Sequence, residues 1–288
     1  MKIENIHTDW GSIITLDSPE EFFNCDVDYW RTLSYDRKLI IFKQVKFTTT
    51  DYAKFSLRFG QQWTPEEYKY SREVVETVAD GLCISPFSNA NTKLIGNEEM
   101  PWHSDIPNRA ERPFPFRSLW IVDNPNPTIS GKTKWMNLEK AMDYLTPEML
   151  ELLPRVRILQ QSWYDPGTDE QEFDLLKVHP ITNKKSLRLN YYNWLKLKTA
   201  WITGVKIDGI LQRDCKLVKD WLEYLEAIPE LTYQHVWDTC DIALYDNWTF
   251  VHGRTKLLLN AKDPIRKFYR ININHLNDSD WELHKDKL

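Results

Sequence analysis

The segment Trp102-His103-Ser104-Asp105 contains a His-x-Asp triplet. Residues i and i+2 of an extended strand point to the same face, so the imidazole of His103 and the carboxylate of Asp105 could bind one metal ion. A triplet of this kind occurs by chance in many proteins and is weak evidence by itself. The metal-site hypothesis therefore needs a third ligand.

A candidate for that third ligand is His252, which ends a polar turn that follows an apolar segment, Ile242-Ala243-Leu244-Tyr245. Two histidines and one carboxylate on one face of a metal form a facial triad, which suits Fe(II) and leaves three coordination positions open. An isolated histidine in a loop can instead bond to a backbone carbonyl. Both interpretations of His252 remain open on the residues alone.

Two arginines follow in the segment 264–272, which has the pattern of a β-strand. Alternation places Arg266, Arg270 and Asn272 on one face of that strand. Inside a barrel, a guanidinium is the usual group for holding a dicarboxylate in fixed geometry. On the outside of a sheet the same side chains would simply be solvated, and the pattern does not decide between the two.

The elements that must position these residues are strands separated by helical inserts. Helix starts are predicted at Ser18-Pro19-Glu20-Glu21, at Thr48 with Asp51, and at Thr146-Pro147-Glu148. An apolar stripe at helical spacing runs from Leu217 to Leu225. Strands are predicted at 38–42, 118–122, 187–192, 242–245 and 268–274. This spacing favours an antiparallel double-sheet barrel over a Rossmann fold, and no Gly-x-Gly-x-x-Gly or Walker sequence opposes it.

Composition excludes several classes of protein. The 288 residues are 42% hydrophobic and 27% charged, which is typical of a folded globular chain. A formal charge of −5 without a Lys/Arg-rich stripe argues against nucleic-acid binding. No segment approaches the roughly 18 apolar residues of a membrane span, and the polar N-terminus is unlike a secretory signal. Four widely spaced cysteines are typical of reduced thiols, so a cytoplasmic protein is predicted.

The absence of internal repeats and of a Gly/Ser linker predicts a single domain over residues 1–288. The order of His-x-Asp, distal His and Arg then resembles the Fe(II)/2-oxoglutarate-dependent oxygenases of the taurine dioxygenase (TauD/TfdA) family. Further segments resemble that family in the same order, namely 38–60 ending in Phe-Gly, 101–105, the Gly-x-Thr-x-Trp turn at 131–135, and the His-Pro hairpin at 178–183. The resemblance covers residues 38–274 and implies a mainly β protein with flanking helices around a double-stranded β-helix, a jelly-roll or cupin-like core.

Transferred to this sequence, the resemblance implies that His103, Asp105 and His252 are the catalytic Fe(II) ligands. It also implies that Thr133 and Arg266 hold the distal carboxylate of 2-oxoglutarate, and that O2 takes a remaining position on the metal. Thr133 considered alone would be assigned as a turn hydroxyl. His179, in the hairpin motif, is expected to be structural.

The primary substrate is a small molecule that the motifs specify only in part. After Phe59-Gly60 the chain lacks the histidine that taurine dioxygenases use for the sulfonate, which makes taurine doubtful. Trp63, with Tyr68 and Tyr70, could line a pocket or lie on the surface. Arg270 would face the substrate or support the co-substrate site, and together with Arg254 it suggests a carboxylate-bearing substrate.

The sequence therefore predicts hydroxylation, desaturation or oxidative cyclisation of an amino-acid-derived carboxylate in natural product biosynthesis. Two alternatives remain: a catabolic dioxygenase of the taurine dioxygenase type, and a non-catalytic binding module on the same fold. Neither a nucleic acid nor a membrane is expected as a partner. Dimers and tetramers both occur in the family, so a homo-oligomer is compatible with the resemblance.

Overall fold

The computed structural model describes residues 1–71, 74–88, 99–105, 116–125, 131–160, 170–190, 193–194, 199–200, 202–257 and 266–274. The strands in these ranges are β1 (Lys2–Asn5), β2 (Ser12–Thr15), β3 (Leu39–Lys43), β4 (Gln61–Gln62), β5 (Glu76–Thr77), β6 (Cys83–Ser88), β7 (Met100–His103), β8 (Phe116–Asp123), β9 (Thr133–Asn137), β10 (Val156–Gln160), β11 (Gln171–Asp174), β12 (Leu176–Val178), β13 (Lys185–Leu187), β14 (Asn193–Trp194), β15 (Thr199–Ala200), β16 (Ile202–Ile207), β17 (Ile210–Gln212), β18 (Thr232–His235), β19 (Ile242–Asp246), β20 (Phe250–Arg254) and β21 (Lys267–Asn274). The α-helices are α1 (Pro19–Asn24), α2 (Val27–Arg37), α3 (Thr49–Ser56), α4 (Pro65–Ser71), α5 (Pro147–Leu152) and α6 (Lys216–Glu226).

The helices begin where local signals predict. Thr48 forms a capping box with Asp51, and α3 follows. The Thr146 hydroxyl accepts a hydrogen bond from the Met149 amide at the start of α5. Helix α1 begins at Pro19 as expected, although the Ser18 side chain makes no capping bond. The apolar stripe of α6 is buried along Val218, Trp221, Leu222 and Leu225.

Two sheets form the centre of the molecule. The major sheet has the order β1-β2-β3-β19-β8-β21-β6-β5, and β4 also pairs with β21. The minor sheet has the order β18-β9-β20-β7. A third sheet, β11-β10-β16-β17, lies in the same cluster of buried residues as α5 and α6.

The two faces of the major sheet bury different side chains. One face packs against α1 to α3 through an apolar cluster that includes Ile40, Phe42, Trp120 and Ile271. The opposite face, called the inner face, lies against the minor sheet. Its residues Ile121, Ala243 and Tyr245 share an apolar cluster with Trp135 and Phe250 of the minor sheet. Strand alternation therefore directs every second residue of β8, β19, β20 and β21 into the space between the sheets. This is the predicted mainly β architecture with flanking helices.

The predicted strand 187–192 is largely wrong in its extent. Strand β13 ends at Leu187, and residues 188–190 are not in a strand. The Arg188 amide instead bonds to the Leu175 carbonyl at 2.6 Å, and the Asn190 side chain accepts a bond from the Ser104 amide. These tertiary contacts replace the strand ladder, and residues 191–192 lie outside the described residues.

Among the helices that the structure does describe, none is both long and apolar enough to cross a bilayer.

Candidate metal centre and co-substrate cleft

The structure brings together His103, Asp105 and His252, the three residues proposed as metal ligands. One ligand atom from each lies within 4.8 Å of the others. His103 ends β7 and pairs directly with His252 of the neighbouring strand β20, so their rings are 4.2 Å apart. Asp105 follows His103 by two residues. The grouping that the sequence pattern suggested is therefore present in three dimensions.

Gly253 permits the close approach of β7 to β20. A Cβ atom at this position would lie 2.7 Å from the carbonyl oxygen of Met100, which real Cβ atoms essentially never do. A glycine directly after His252 therefore lets the two histidine-bearing strands come together.

The tautomer of His103 suits a metal ligand. Its Nδ1 lies 2.9 Å from the carbonyl oxygen of Pro101, an acceptor, so Nδ1 carries the proton and Nε2 keeps its lone pair. Burial lowers the pKa of His103, and the pKa of His252 lies well below its usual value, also because of burial. Both rings are therefore neutral at physiological pH, as metal ligation requires.

Asp105 is held at its backbone and at its carboxylate. Asn247 accepts from the Asp105 amide and donates to its carbonyl oxygen, each at 2.9 Å. The buried guanidinium of Arg117 lies 2.6 Å from Oδ2. Burial alone would raise the pKa of Asp105, but the positive charge of Arg117 lowers it below the usual range. The carboxylate is therefore ionised, and with two neutral imidazoles it forms a donor set that fits Fe(II).

Tyr245 completes the surroundings of the triad. Its hydroxyl lies 3.3 Å from Asp105 Oδ2 and 3.3 Å from His252 Nε2. Burial, and then the negative charge of Asp105, raise the pKa of Tyr245, so the phenol keeps its proton. Arg117, Tyr245 and Asn247 were missed by sequence reasoning. Arg117 and Tyr245 are brought together by strand register, since they pair across β8 and β19 on the inner face, and Asn247 lies in the turn after β19.

A cleft lies between the two sheets, and one of its lining residues, Arg254, follows His252 by two residues in β20. Thr133, Arg254 and Arg266 line it together with apolar side chains that include Trp237 and Leu257. The Thr133 hydroxyl accepts a hydrogen bond from Trp237 Nε1 at 2.9 Å, which leaves its own hydrogen available for donation. The cleft therefore contains the two residues that the sequence assigned to 2-oxoglutarate.

Arg266 is oriented by the protein around it. Its Nε donates to Asn124 Oδ1 at 3.1 Å, and its Nη1 donates to the Gly131 carbonyl at 2.9 Å. Burial lowers the pKa of Arg266 to about 10, so the guanidinium stays charged at neutral pH. Arg266 directly precedes β21 instead of lying within it as the strand pattern predicted.

Arg270 lies on the inner face of the major sheet, where β21 pairs it with Ser85 and Leu119. Its guanidinium stacks over the Phe87 ring at 4.4 Å. Its positive charge contributes to the lowered pKa of Asp105, which places it within electrostatic reach of the triad.

The remaining candidates have other surroundings. Trp63 is buried with Tyr68 and Cys83 in a separate cluster, and its Nε1 donates to Asn274. Trp63 does not line the cleft, and neither Trp63 nor Tyr68 is a surface residue. The side chain of Tyr70 lies outside the described residues. Arg254 lines the same cleft as Thr133 and Arg266.

His179 has the structural role expected from the hairpin motif. Its Nδ1 accepts from the amides of Ile181 and Thr182, each at 3.1 Å. Its Nε2 lies 3.0 Å from Asp246, which also accepts a hydrogen bond from the Thr249 hydroxyl. The hairpin thereby fixes the turn that leads into β20 and His252.

The family model for taurine catabolism dioxygenase TauD, TfdA family, matches residues 2–271. Tyrosine isonitrile desaturase of Erwinia amylovora is 21% identical over 253 residues, which cover 84% of this chain and 80% of that protein. The family match confirms the resemblance drawn from the motifs and the enzyme class, a dioxygenase.

Solved structures share the fold. PvcB, described as an Fe, alpha-ketoglutarate dependent oxygenase from an isonitrile synthetic pathway, superposes with a TM-score of 0.71 at 16% identity, covering 94% of this chain and 91% of that chain. A putative alpha-ketoglutarate-dependent taurine dioxygenase from Burkholderia xenovorans gives 0.69 at 19% identity, covering 94% and 88%. The predicted jelly-roll fold is therefore confirmed, and the predicted iron and 2-oxoglutarate agree with these relatives.

Proposed function

The chain belongs to the TauD, TfdA family of dioxygenases, and we propose that it couples oxidative decarboxylation of 2-oxoglutarate to oxidation of a C–H bond in a small carboxylate-bearing metabolite. The observation that carries this proposal is the His103, Asp105 and His252 cluster, together with a cleft that contains Thr133, Arg266 and a residue of the strand that presents His252. Fe(II) in this cluster would supply the activation of O2. Two neutral imidazoles and one carboxylate would hold the metal and leave positions for the reactants.

Thr133 and Arg266 would hold the co-substrate by its distal carboxylate. The Thr133 hydroxyl can donate because Trp237 already occupies its acceptor side. Asn124 and Gly131 fix the Arg266 guanidinium before any ligand arrives, so little side-chain entropy is lost on binding. A charged guanidinium against an apolar cleft wall selects a 2-oxo acid that has a second carboxylate.

Positive charge on the major sheet supports an anionic primary substrate. Arg270 and Arg117 both act electrostatically on Asp105 from the inner face, on the side of the triad opposite the minor sheet. Phe87 stacks on Arg270 and restricts its position. Arg270 would bind the substrate carboxylate and so orient the bond to be oxidised.

The relatives support an amino-acid-derived substrate. One is named tyrosine isonitrile desaturase, and another is described as belonging to an isonitrile synthetic pathway. We therefore propose that the substrate is an amino-acid-derived carboxylate and that the outcome is hydroxylation, desaturation or oxidative cyclisation.

The test is succinate formation by the Fe(II)-loaded protein with 2-oxoglutarate and O2, in the presence of single candidate substrates. Tyrosine isonitrile and a panel of modified amino acids are compared with taurine. We expect an amino-acid-derived carboxylate to stimulate succinate release, and Arg270→Ala to raise its KM without loss of iron binding. Stimulation by taurine alone would favour the catabolic alternative, and an unchanged KM would contradict the role of Arg270.

A further inference from the structure

Arg254 has a position that its sequence context did not reveal. It follows His252 by two residues in β20, so both side chains point from the minor sheet into the space between the sheets. Across the ladder, Arg254 pairs directly with Thr133 of β9. Cβ atoms of directly opposite residues lie about 4.5–5.5 Å apart, so the Arg254 side chain starts next to the Thr133 hydroxyl.

The cleft confirms this placement, because Arg254, Thr133 and Arg266 all line it. Arg266 enters from the other side, where Gly131 and Asn124 bind it. Two guanidiniums and one hydroxyl therefore reach a cleft whose other lining side chains are apolar. Arg270 is not among the lining residues of the cleft; its guanidinium lies over Phe87, a residue of the cleft wall.

We propose that Arg254 binds the distal carboxylate of 2-oxoglutarate together with Thr133 and Arg266, and does not bind the primary substrate. This inference rests on the proposed function, because it requires 2-oxoglutarate in the cleft. A carboxylate has about four acceptor sites. Two nitrogens of Arg266 already donate to the protein, and Arg254 brings a second positive charge to the same cleft.

The position of Arg254 also connects co-substrate binding to the metal. His252 and Arg254 share one short strand, so a carboxylate bound by Arg254 lies against the same strand that presents the distal histidine. Arg254 would thereby position the 2-oxo acid relative to the triad, while Arg270 lies on the other sheet.

The experiment measures binding without turnover. Under anaerobic conditions the Fe(II)-loaded protein is titrated with 2-oxoglutarate, and the visible charge-transfer band of the chelate gives the Kd. The same titration uses 2-oxopentanoate, which has a methyl group in place of the distal carboxylate. The variants are Arg254→Met, which removes the charge, and Arg254→Lys, which keeps it. Arg213→Met is the control, because Arg213 is an exposed arginine that bonds to Glu170 outside the cleft.

Loss of a charge-assisted hydrogen bond to the carboxylate should raise the Kd for 2-oxoglutarate by about 10-fold to 100-fold in Arg254→Met. Arg254→Lys should recover part of the affinity, and Arg213→Met should match the wild type. The affinity for 2-oxopentanoate should not change between wild type and Arg254→Met, because that ligand has no distal carboxylate.

An unchanged Kd for 2-oxoglutarate in Arg254→Met would overturn the inference. So would an equal loss of affinity for both ligands, because Arg254 would then act at the metal-chelating end. A wild-type protein that gives no band with 2-oxoglutarate would contradict the proposed function itself. The two failures are therefore distinguishable.

Discussion

Substitution of Gly131 by alanine should disturb both the stability of the protein and its affinity for 2-oxoglutarate. Gly131 opens the Gly-x-Thr-x-Trp turn and has a φ of +68°, in the left-handed region that favours glycine. An added Cβ would lie closer to Leu257 Cδ2 than real Cβ atoms approach a neighbour, and 3.0 Å from Arg266 Nη1, which is a tight contact. The substitution therefore forces Leu257 and Arg266 to move.

The loss of unfolding free energy in Gly131→Ala has two parts. The left-handed conformation costs an alanine about 1–2 kcal/mol relative to glycine, and overpacking against Leu257 adds about 1–3 kcal/mol. The free energy of unfolding should therefore fall by about 2–5 kcal/mol. Because Arg266 Nη1 donates to the Gly131 carbonyl, its displacement should also raise the Kd for 2-oxoglutarate by about 10-fold or more.

Gly209 provides a matched control. Its φ is +81°, and a Cβ there meets nothing within 4 Å. Gly209→Ala should therefore lose only the conformational part, about 1–2 kcal/mol, with no change in the Kd for 2-oxoglutarate. Leu257→Ala added to Gly131→Ala should relieve the overlap and partly restore the Kd. Urea unfolding and anaerobic titration measure the two quantities. Equal stability losses in the two single glycine variants, with an unchanged Kd, would refute this reasoning.

Three further predictions concern the groups around the site. Thr133→Val should raise the Kd for 2-oxoglutarate by about 3-fold to 10-fold, because the hydroxyl is the group that donates. Thr133→Ser keeps the hydroxyl and should stay near the wild type. Equal Kd values for the two variants in the anaerobic titration would contradict this role. Asn247→Ala removes both hydrogen bonds that hold the Asp105 backbone. The affinity for Fe(II), measured by metal titration, should therefore fall by about 10-fold to 100-fold. An unchanged affinity would show that other contacts hold Asp105. Burial would raise the pKa of Asp241, but hydrogen bonds from His235 and other groups lower it, so Asp241→Asn should cost about 3 kcal/mol at neutral pH. A carboxyl group with a lowered pKa contributes stability only above that pKa. The loss of unfolding free energy in Asp241→Asn, measured by urea unfolding, should therefore shrink as the pH falls below about 4. A loss that does not depend on pH would contradict the charged pair.

Much of the fold and part of the site could be predicted from short-range sequence patterns and from the order of the motifs along the chain. The helix starts at Thr48 and Thr146 depend on contacts within three residues, so the sequence alone reveals them. The His103 and Asp105 pair depends on strand alternation over two residues. Pairing them with the distant His252 required the order of motifs along the chain.

Residues that depend on long-range register were not predictable. Arg117 and Tyr245 reach Asp105 only because β8 and β19 pair in one particular register. Arg254 enters the cleft with Thr133 because β20 pairs with β9. Tryptophan often lines ligand pockets, which made Trp63 a candidate. Its burial with Tyr68 follows from packing that no local pattern specifies.

The proposed reaction requires one site that binds Fe(II) and then 2-oxoglutarate. The most direct test is an anaerobic titration of the metal-free protein with Fe(II) and then with 2-oxoglutarate, in wild type and His252→Ala. We expect the visible charge-transfer band of the chelate in the wild type and its loss in the variant. Absence of the band in folded wild-type protein would contradict the assignment of His103, Asp105 and His252 as the iron site.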